Sequence, residues 1–401
     1  MRFTLSVFLL ALPLAAWAQT PLTEAEAVRL GLARSDLADL EQAEVRVAEA
    51  EVLAAGQIPN PTLSYSRDRV GGSPDTVEQS WMLSQTFDLS GKRKLHQEAA
   101  ERRVEVASAG NATRQNEFAA EIRRAFHDVV FQQETLRATE TWVQRFARVE
   151  GMVGKLARAG EASGYDRRRL ARERQAAEAR LATGRAEINR SLASLAALIG
   201  TSQPPLVSGE LLPPPLPAIE TALNRLNQRA DLRALSLAAQ AADLEGRAAK
   251  QGRIPDLTAG IGPKWVDNGI SRDNGFALML SMPLPVFDRQ QAGRQRAAAE
   301  AARARAEYRL AHARAEGELR GLHRQAEALR SAANEYRAQT AATTPELLLI
   351  AEAAYQGGES SLLELLDAYR GTLESETAAL ELSKRARDAR IEYELLTGST
   401  E

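Results

Sequence analysis

The stretch that decides the fold runs from Gln57 to Arg93 and reads QIPNPTLSYSRDRVGGSPDTVEQSWMLSQTFDLSGKR. A proline near its start ends a helix, two short runs of alternating polarity follow, and Gly91 precedes a long helical pattern. A second copy begins at Gln251 and reads QGRIPDLTAGIGPKWVDNGISRDNGFALMLSMPLPVFDRQQAG. The sequence therefore predicts two β-hairpins in a chain that is otherwise helical.

The two stretches are parts of a longer internal duplication, in which partners recur roughly 195 to 202 residues apart. The matched pairs are Arg34 with Arg229, Asp36 with Asp231, Ile58 with Ile254, Asp88 with Asp288, Gly91 with Gly293, Gly160 with Gly358, Ser163 with Ser361 and Gly200 with Gly398. We interpret residues 19–203 as a first repeat and 204–401 as a second, joined by a proline-rich segment. We expect the two repeats to form one structural unit.

The composition favours long helices and excludes several classes of protein. Of 401 residues, 44% are hydrophobic and 26% are charged, and the mean hydropathy of -0.33 is too polar for a bundle of membrane helices. A net charge of -2 gives no indication of a nucleic-acid partner. The absence of cysteine excludes disulfides, thiolate metal sites and an acylated N-terminal cysteine.

Residues 1–18 have the three regions of a secretory signal. Arg2 precedes an apolar run from Phe3 to Ala16, and Ala16 and Ala18 provide a small-residue cleavage pattern. An uncleaved membrane anchor is the alternative, which we rank lower because the run is short for a membrane span. We therefore expect the mature protein to leave the cytoplasm.

The predicted strands lie at about 62–69, 79–87, 257–265 and 275–284. Each alternates apolar and polar residues over about nine positions, the length of a tilted strand that crosses a bilayer. A soluble sheet with one face on a core is the alternative, but the helices are too long to fold back over such a sheet. A membrane barrel must close, and about eight strands are the smallest working barrel. One chain therefore cannot close it alone, whereas two chains would give eight strands and three would give twelve.

The helical pattern from Lys92 continues without proline to about Leu156, roughly 100 Å at about 1.5 Å per residue. After a break near Gly160, a further helix extends to Ile199. Helices of this length exceed the width of a small globular domain. We expect them to pack below the shared barrel as a cylinder whose bore continues that of the barrel. The predicted fold class is mainly α-helical with a membrane β-barrel.

These residues resemble the TolC-like outer-membrane efflux proteins, and the resemblance covers essentially the whole mature chain. The segment Pro59–Thr62 before the first strand, and Ser84, Gln85 and Gly91–Arg93 around the end of the second, are similar to the branch that serves cobalt-zinc-cadmium resistance. Many members of the family carry lipid on an N-terminal cysteine. This chain departs from that pattern, so we expect the barrel alone to hold it in the outer-membrane lipid.

The resemblance implies a homotrimer in which each protomer contributes four strands to a twelve-stranded barrel. It also implies a long periplasmic α-helical tunnel, formed by the helices of the three protomers. That tunnel would meet a periplasmic adaptor, a membrane fusion protein, and through it an inner-membrane pump of the RND type.

The resemblance also implies a periplasmic gate near the second helix break. Glu364 and Asp367, at positions i and i+3 of one helix face, resemble the acid pair that lines the constriction, and Tyr355 and Asp166 resemble residues that hold the closed tip together. Six such acids in a trimer would favour cations and raise their own pKa values by repulsion. Ser360 stands where the family has a basic residue, which puts a salt-bridge latch there in question. A solvated helix face is the alternative.

The exposed residues at both helix breaks are the predicted docking positions for the adaptor, and helix capping is a compatible role for the same residues. These docking positions are Gly160, Glu161, Ser163, Gly357, Gly358 and Glu359.

The sequence predicts no enzyme, with no catalytic, cofactor-binding or metal-binding residues. The four histidines are scattered along long helices, and His312 and His323 are too far apart to share one ion. We therefore predict a passive exit duct, with divalent heavy-metal cations as its substrate. A duct for drug or multidrug efflux or for type I secretion is one alternative, and a periplasmic coiled-coil scaffold is an alternative of a different class.

Overall fold

The computed structural model of the protein describes residues 21–160 and 163–398. The predicted signal peptide and Glu161 lie outside the described residues. The elements are α1 (Glu24–Leu32), α2 (Ser35–Gly56), β1 (Thr62–Val70), β2 (Thr76–Phe87), α3 (Lys92–Arg158), α4 (Gly164–Ile199), α5 (Ile219–Arg225), α6 (Ala230–Gln251), β3 (Leu257–Asp267), β4 (Arg272–Ser281), α7 (Gln291–Gln356) and α8 (Leu362–Thr397). None of the described helices is both long enough and apolar enough to span a membrane.

The described chain divides into two compact units. The helical unit contains the described residues of 21–31, 121–213 and 329–387. The sheet unit contains residues 32–120, 214–328 and 388–398. Each unit takes residues from both predicted repeats, so the repeats are not separate domains. The boundary between the repeats at residues 203 and 204 stays a prediction.

The sheet unit contains one antiparallel sheet with the strand order β1-β2-β3-β4. Strand β2 pairs with β3, a strand from the other repeat, and β1 and β4 form the two edges of the protomer's sheet. The predicted bounds were wrong at two strands: β2 begins at Thr76, before position 79, and β4 covers Arg272–Ser281 instead of 275–284. Strand β4 ends early because Pro283 and Pro285 follow it, and proline has no N–H for a ladder hydrogen bond.

Helices α3 and α7 are the two longest elements, with 67 and 66 residues. Alanine, arginine and glutamate, which are strong helix formers, make up much of both. Helix α3 ends at Arg158, two residues beyond the predicted end. Helix α7 contains Pro345, and no proline lies inside α3.

The helix boundaries repeat with the spacing that the duplication predicts. Gly160 and Gly358 have φ angles of 82° and 74°, and Gly200 and Gly398 have φ angles of 75° and 67°. A left-handed φ at these four sites ends the preceding helix, a conformation that glycine adopts without strain. The duplication is thus visible in the backbone as well as in the sequence.

One predicted match between the repeats is wrong. Gly91 has a φ of 74° in the turn before α3, but its matched partner Gly293 lies inside α7. The residue with positive φ in the second turn is Gln290, at 60°. The matching of glycine to glycine therefore placed the second turn a few residues too late.

The core of the helical unit lies between α3, α4, α7 and α8. Helix α3 contributes Trp142, Phe146, Val149 and Val153, whose spacing of four, three and four residues places them on one stripe. The main cluster is completed by Leu170, Ala177, Leu348, Tyr355, Leu362, Leu365, Leu366, Tyr369 and Leu373. A second core, in the sheet unit, contains Leu226, Leu232, Leu319 and Tyr393.

Candidate functional site

One face of the sheet is apolar from β1 to β4. The register joins Leu63 to Leu83, Leu83 to Ile261, and Ile261 to Leu278 in one continuous row. These side chains are exposed in the protomer, and Leu278 retains 80% of its accessible surface. The same face also carries Tyr65, Trp81, Phe87, Leu257, Ala259, Phe276 and Leu280. An apolar face this large requires a partner or a lipid environment.

The opposite face of the sheet is polar. The Oγ atoms of Ser66 and Ser80 lie 2.9 Å apart, and Lys264 Nζ lies 2.6 Å from a carboxylate oxygen of Glu78. Met82 is an apolar exception that the sequence already indicated. Alternation with one apolar and one polar face is the pattern of a membrane barrel strand, with lipid on one side and an aqueous bore on the other.

The two central strands approach each other closely at Gly262. A Cβ atom built there would lie 1.7 Å from the carbonyl oxygen of Trp81 and 3.0 Å from the Cα of Met82. Any larger residue would therefore push β2 and β3 apart. This position requires glycine because of space, not because of φ.

The turn between β2 and α3 is held by Asp88. Its Oδ1 accepts hydrogen bonds from the N–H and Oγ of Ser90, at 2.8 and 2.6 Å, and its Oδ2 accepts from the N–H of Arg93 at 3.0 Å. Burial would raise the pKa of Asp88, but these hydrogen bonds outweigh it and lower the pKa to about 2. Asp88 thus satisfies backbone donors at the start of α3.

Lys92 joins the two repeats. Its Nζ lies 2.8 and 2.9 Å from the two carboxylate oxygens of Asp256, which directly precedes β3. The Gly91–Arg93 motif, which resembles a motif of metal-resistance proteins, thus has a structural role in each of its first two residues. Sequence reasoning missed this pairing, because no local pattern relates residues 164 positions apart.

Both predicted tip regions contain a capping box. The Oγ of Ser163 accepts a hydrogen bond from the Asp166 N–H, and the Asp166 carboxylate accepts from the N–H and Oγ of Ser163. Ser361 and Glu364 form the same arrangement at the start of α8. Two predicted gate residues, Asp166 and Glu364, are therefore capping residues in the protomer. The Ser-x-x-Asp/Glu spacing could have identified both from the sequence.

Glu364 and Asp367 lie on an exposed face of α8, while Leu365 and Leu366 between them are buried. Hydrogen bonds from the backbone and side chain of Ser361 lower the pKa of Glu364. This change in the pKa is opposite to the increase that repulsion in a ring of acids would cause. The ring itself stays a prediction.

A cation lies close to the exposed acids of α8. The Arg370 guanidinium donates a hydrogen bond to Glu173 of α4. This hydrogen bond is the main cause, and the charge of Asp367 a smaller one, of a raised pKa at Arg370. Arg370 thus offsets part of the negative charge beside Asp367.

Tyr355 and Asp166 lie in the same region of the helical unit. Tyr355 is 9% exposed and belongs to the unit's main core cluster. Burial, and secondarily the charge of Asp166, raise the pKa of the Tyr355 hydroxyl. The structure therefore brings these two predicted gate residues close enough for their charges to interact. Gly160, Gly357, Gly358 and Glu359 of the predicted docking positions lie in the turns beside them.

The histidines have separate partners. His127 Nε2 lies 2.9 Å from Glu24 Oε2, His96 pairs with Glu245, and His312 with Asn227. Residues 21–160 and 163–398 contain no group of three or more histidine, aspartate or glutamate side chains placed to hold a metal ion. The described residues therefore show no resident metal site.

Three comparisons relate this chain to known proteins. The family model described as "Outer membrane efflux protein" matches residues 223–399. The cobalt-zinc-cadmium resistance protein CzcC of Cupriavidus metallidurans is 26% identical over 332 residues, which cover 82% of this chain and 78% of the relative.

Comparison with solved structures concerns the fold. A crystal structure of CusC superposes with a TM-score of 0.78 at 17% identity, and covers 95% of this chain and 93% of that chain. The outer membrane protein VceC of Vibrio cholerae has a TM-score of 0.75 at 18% identity, and covers 94% of this chain and 96% of that one. These likenesses confirm the predicted fold class, a mainly helical protomer that carries four barrel strands.

Proposed function

The chain is a member of the TolC-like family of outer-membrane efflux proteins, and from that premise we propose that it is the exit duct of a tripartite efflux system. Membership confirms two predictions made from the sequence, an outer-membrane location and a channel in place of an enzyme. In the proposed system, an inner-membrane pump of the RND type supplies the energy. A periplasmic adaptor joins the pump to this chain, and the substrate passes through without being held.

The observation that carries the proposal is the two-faced sheet with open edges. Within residues 21–160 and 163–398, strands β1 and β4 each leave one row of backbone N–H and C=O groups without a partner strand. Such rows cannot face hydrocarbon, because each unsatisfied group there costs several kcal/mol. Pairing of β4 with β1 of a second copy satisfies them, and three copies close a twelve-stranded barrel. The apolar face then meets lipid and the polar face lines the bore.

We propose divalent heavy-metal cations as the substrate. The support is the similarity to a relative whose name states resistance to cobalt, zinc and cadmium. A drug-efflux duct or a type I secretion duct would have the same architecture, so the substrate must be tested by experiment.

The substrate is tested by deletion of the gene in its native host, followed by growth on zinc, cobalt, cadmium, copper and a panel of drugs. We expect lower tolerance to at least one of the metals, restored by the wild-type gene on a plasmid. Unchanged metal tolerance together with drug sensitivity would overturn the metal assignment. Membrane fractionation tests the channel itself: a protein that a carbonate wash removes would be the periplasmic coiled-coil scaffold instead.

We further propose that Glu364 and Asp367 line the periplasmic constriction, with Tyr355 and Asp166 holding its closed form. Support comes from the exposure of both acids on one face of α8 and from the closeness of Tyr355 to Asp166. Because Glu364 also caps α8, the variant used in the test must keep that cap. Glutamine keeps the capping box, because it accepts the same hydrogen bonds, and removes the charge.

The gate is tested with purified trimer in a planar bilayer. The double variant Glu364→Gln with Asp367→Asn is expected to lower the cation selectivity of the channel. Ser361→Ala is the matched control, since it removes part of the capping box and leaves both carboxylates in place. Equal selectivity in the double variant and the wild type would return the acids to a solvated helix face. A loss of selectivity in the control would assign the effect to capping.

The turns at both tips are the proposed docking positions for the adaptor, namely Gly160, Ser163, Gly357, Gly358 and Glu359, together with Glu161 outside the described residues. In support, each turn has a glycine with positive φ and, three residues later, a serine that caps the next helix. An adaptor could therefore recognise both by one mode. Cysteine substitution at Gly357 or Glu359, followed by cross-linking to the adaptor in cells, tests this contact.

A further inference from the structure

At the hairpin end of the sheet, charges of opposite sign lie on opposite faces. The register places Arg67, Arg69 and Arg272 on the apolar face, where Asp267 is the acid. On the polar face the signs are reversed: it carries Asp68, Glu78 and Asp273, with Lys264 as the cation. On a surface that is only required to be soluble, charges of both signs are normally interspersed, so solubility does not explain this separation.

Aromatic residues lie directly inside the arginines on the apolar face. The register aligns Tyr65 with Trp81, and Pro263 with Phe276, in one row across the sheet. The rings of Tyr65 and Trp81 have centroids 5.0 Å apart, and Phe276 is 82% exposed. Aromatic side chains prefer the level of the lipid headgroups. Arg67 lies two residues beyond this row, about 7 Å outward along the strand.

Two of the arginines form no ion pair within the described part of the chain, although Asp267 lies opposite Arg272 in the pairing of β3 with β4. Among the described residues, the side chains of Arg67 and Arg272 have no ion-pair or hydrogen-bond partner, whereas Arg69 pairs with Asp75 at 2.7 Å. In a closed barrel, β4 of one protomer pairs with β1 of the next, which brings Arg272 to the same rim as Arg67. Like charges on neighbouring strands repel each other unless an anion lies between them.

We propose that Arg67 and Arg272 bind the phosphate groups of a phosphorylated lipid in the outer leaflet, at each of the three junctions between protomers. A guanidinium binds phosphate with two parallel hydrogen bonds. Tyr65, Trp81 and Phe276 contact the upper part of the acyl chains. This inference rests on the proposed function, because it requires the sheet to lie in the outer membrane with its hairpins outside.

The test measures lipid binding to the purified trimer by native mass spectrometry in a non-ionic detergent. The probes are bisphosphorylated lipid A and the same lipid without its phosphates. The variant is Arg67→Gln with Arg272→Gln. The matched control is Arg172→Gln with Arg314→Gln, two exposed arginines on α4 and α7. Trimers that resist unheated SDS electrophoresis establish that each protein is folded.

We expect the wild type to bind the bisphosphorylated lipid more tightly than the dephosphorylated one. The Arg67 and Arg272 variant should lose about fivefold per arginine, or roughly 25-fold in all, for the bisphosphorylated lipid only. The control should equal the wild type. Equal affinity of variant and wild type, or a wild type that does not distinguish the two lipids, overturns the inference.

Conductance separates this inference from the function on which it rests. The same trimers are inserted into planar bilayers of phosphatidylcholine, which contain no lipid A. If the wild type conducts and the two lipids bind equally, only the lipid site is refuted. If the wild type forms no channel, the proposed duct fails and the lipid site fails with it.

Discussion

Replacement of Gly262 by alanine should separate the two central strands of the sheet. The new Cβ would lie 1.7 Å from the Trp81 carbonyl oxygen, and that oxygen belongs to the backbone and cannot rotate away. Contact between carbon and oxygen requires about 3.3 Å, so β2 and β3 must move apart by about 1.6 Å at this point. A backbone hydrogen bond of about 2.9 Å that is stretched by this amount is lost.

The cost combines overpacking, about 1–3 kcal/mol, with roughly 1 kcal/mol for each lost hydrogen bond. We therefore expect Gly262→Ala to lower the free energy of unfolding by about 2–4 kcal/mol. The assay is urea unfolding of the purified trimer in detergent, followed by tryptophan fluorescence. Gly275→Ala is the matched control, because it is on the same face of the sheet and no atom lies within 4 Å of the point that its Cβ would occupy. Equal unfolding midpoints for both variants would refute the close approach of β2 and β3.

Two further predictions concern the turn that precedes α3. Asp88→Ala should destabilise the protein by about 1–2 kcal/mol at neutral pH, through loss of the cap. Because folding lowers the Asp88 pKa from 3.8 to about 2, this contribution is fully present above about pH 4 and is lost as the pH falls through about 2. The unfolding curves of wild type and variant should therefore converge in acid, and a constant difference would contradict this role. In a double-mutant cycle, Lys92→Gln and Asp256→Asn should show a coupling of about 0.5–1 kcal/mol that decreases in about 1 M salt. A coupling of zero would mean that this half-exposed pair contributes nothing.

The sequence predicted the architecture well because its main signals are local. Alternation identified all four strands, and glycine with proline marked the ends of the helices. Two of the errors, the starts of β2 and β4, arose where the strand continues in polar residues. Thr76 and Glu78 extend β2 toward its hairpin, and Arg272 and Asp273 extend β4, although neither segment is apolar enough to be recognised as a strand.

The candidate sites were less accessible from the sequence because their contacts are distant or depend on register. The pairing of Lys92 with Asp256 crosses between the repeats, and only the folded sheet reveals it. Arg67 and Arg272 lie on one face because of the register in which the four strands pair. That register cannot be read from a short stretch of sequence. The local Ser-x-x-Glu pattern was enough to predict that Glu364 caps α8, but Glu364 was assigned only to the gate.

Strand β2 pairs with β3, and about 170 residues separate them along the chain. When the first repeat emerges from a translocation channel, β2 has β1 on one side and an open hydrogen-bonding edge on the other. Neither compact unit can form until the second repeat has also emerged, because each unit draws on both. Each compact unit can therefore assemble only after most of the chain has crossed the inner membrane. Until then the exposed edge and the apolar face of the first hairpin are surfaces on which a periplasmic chaperone would act.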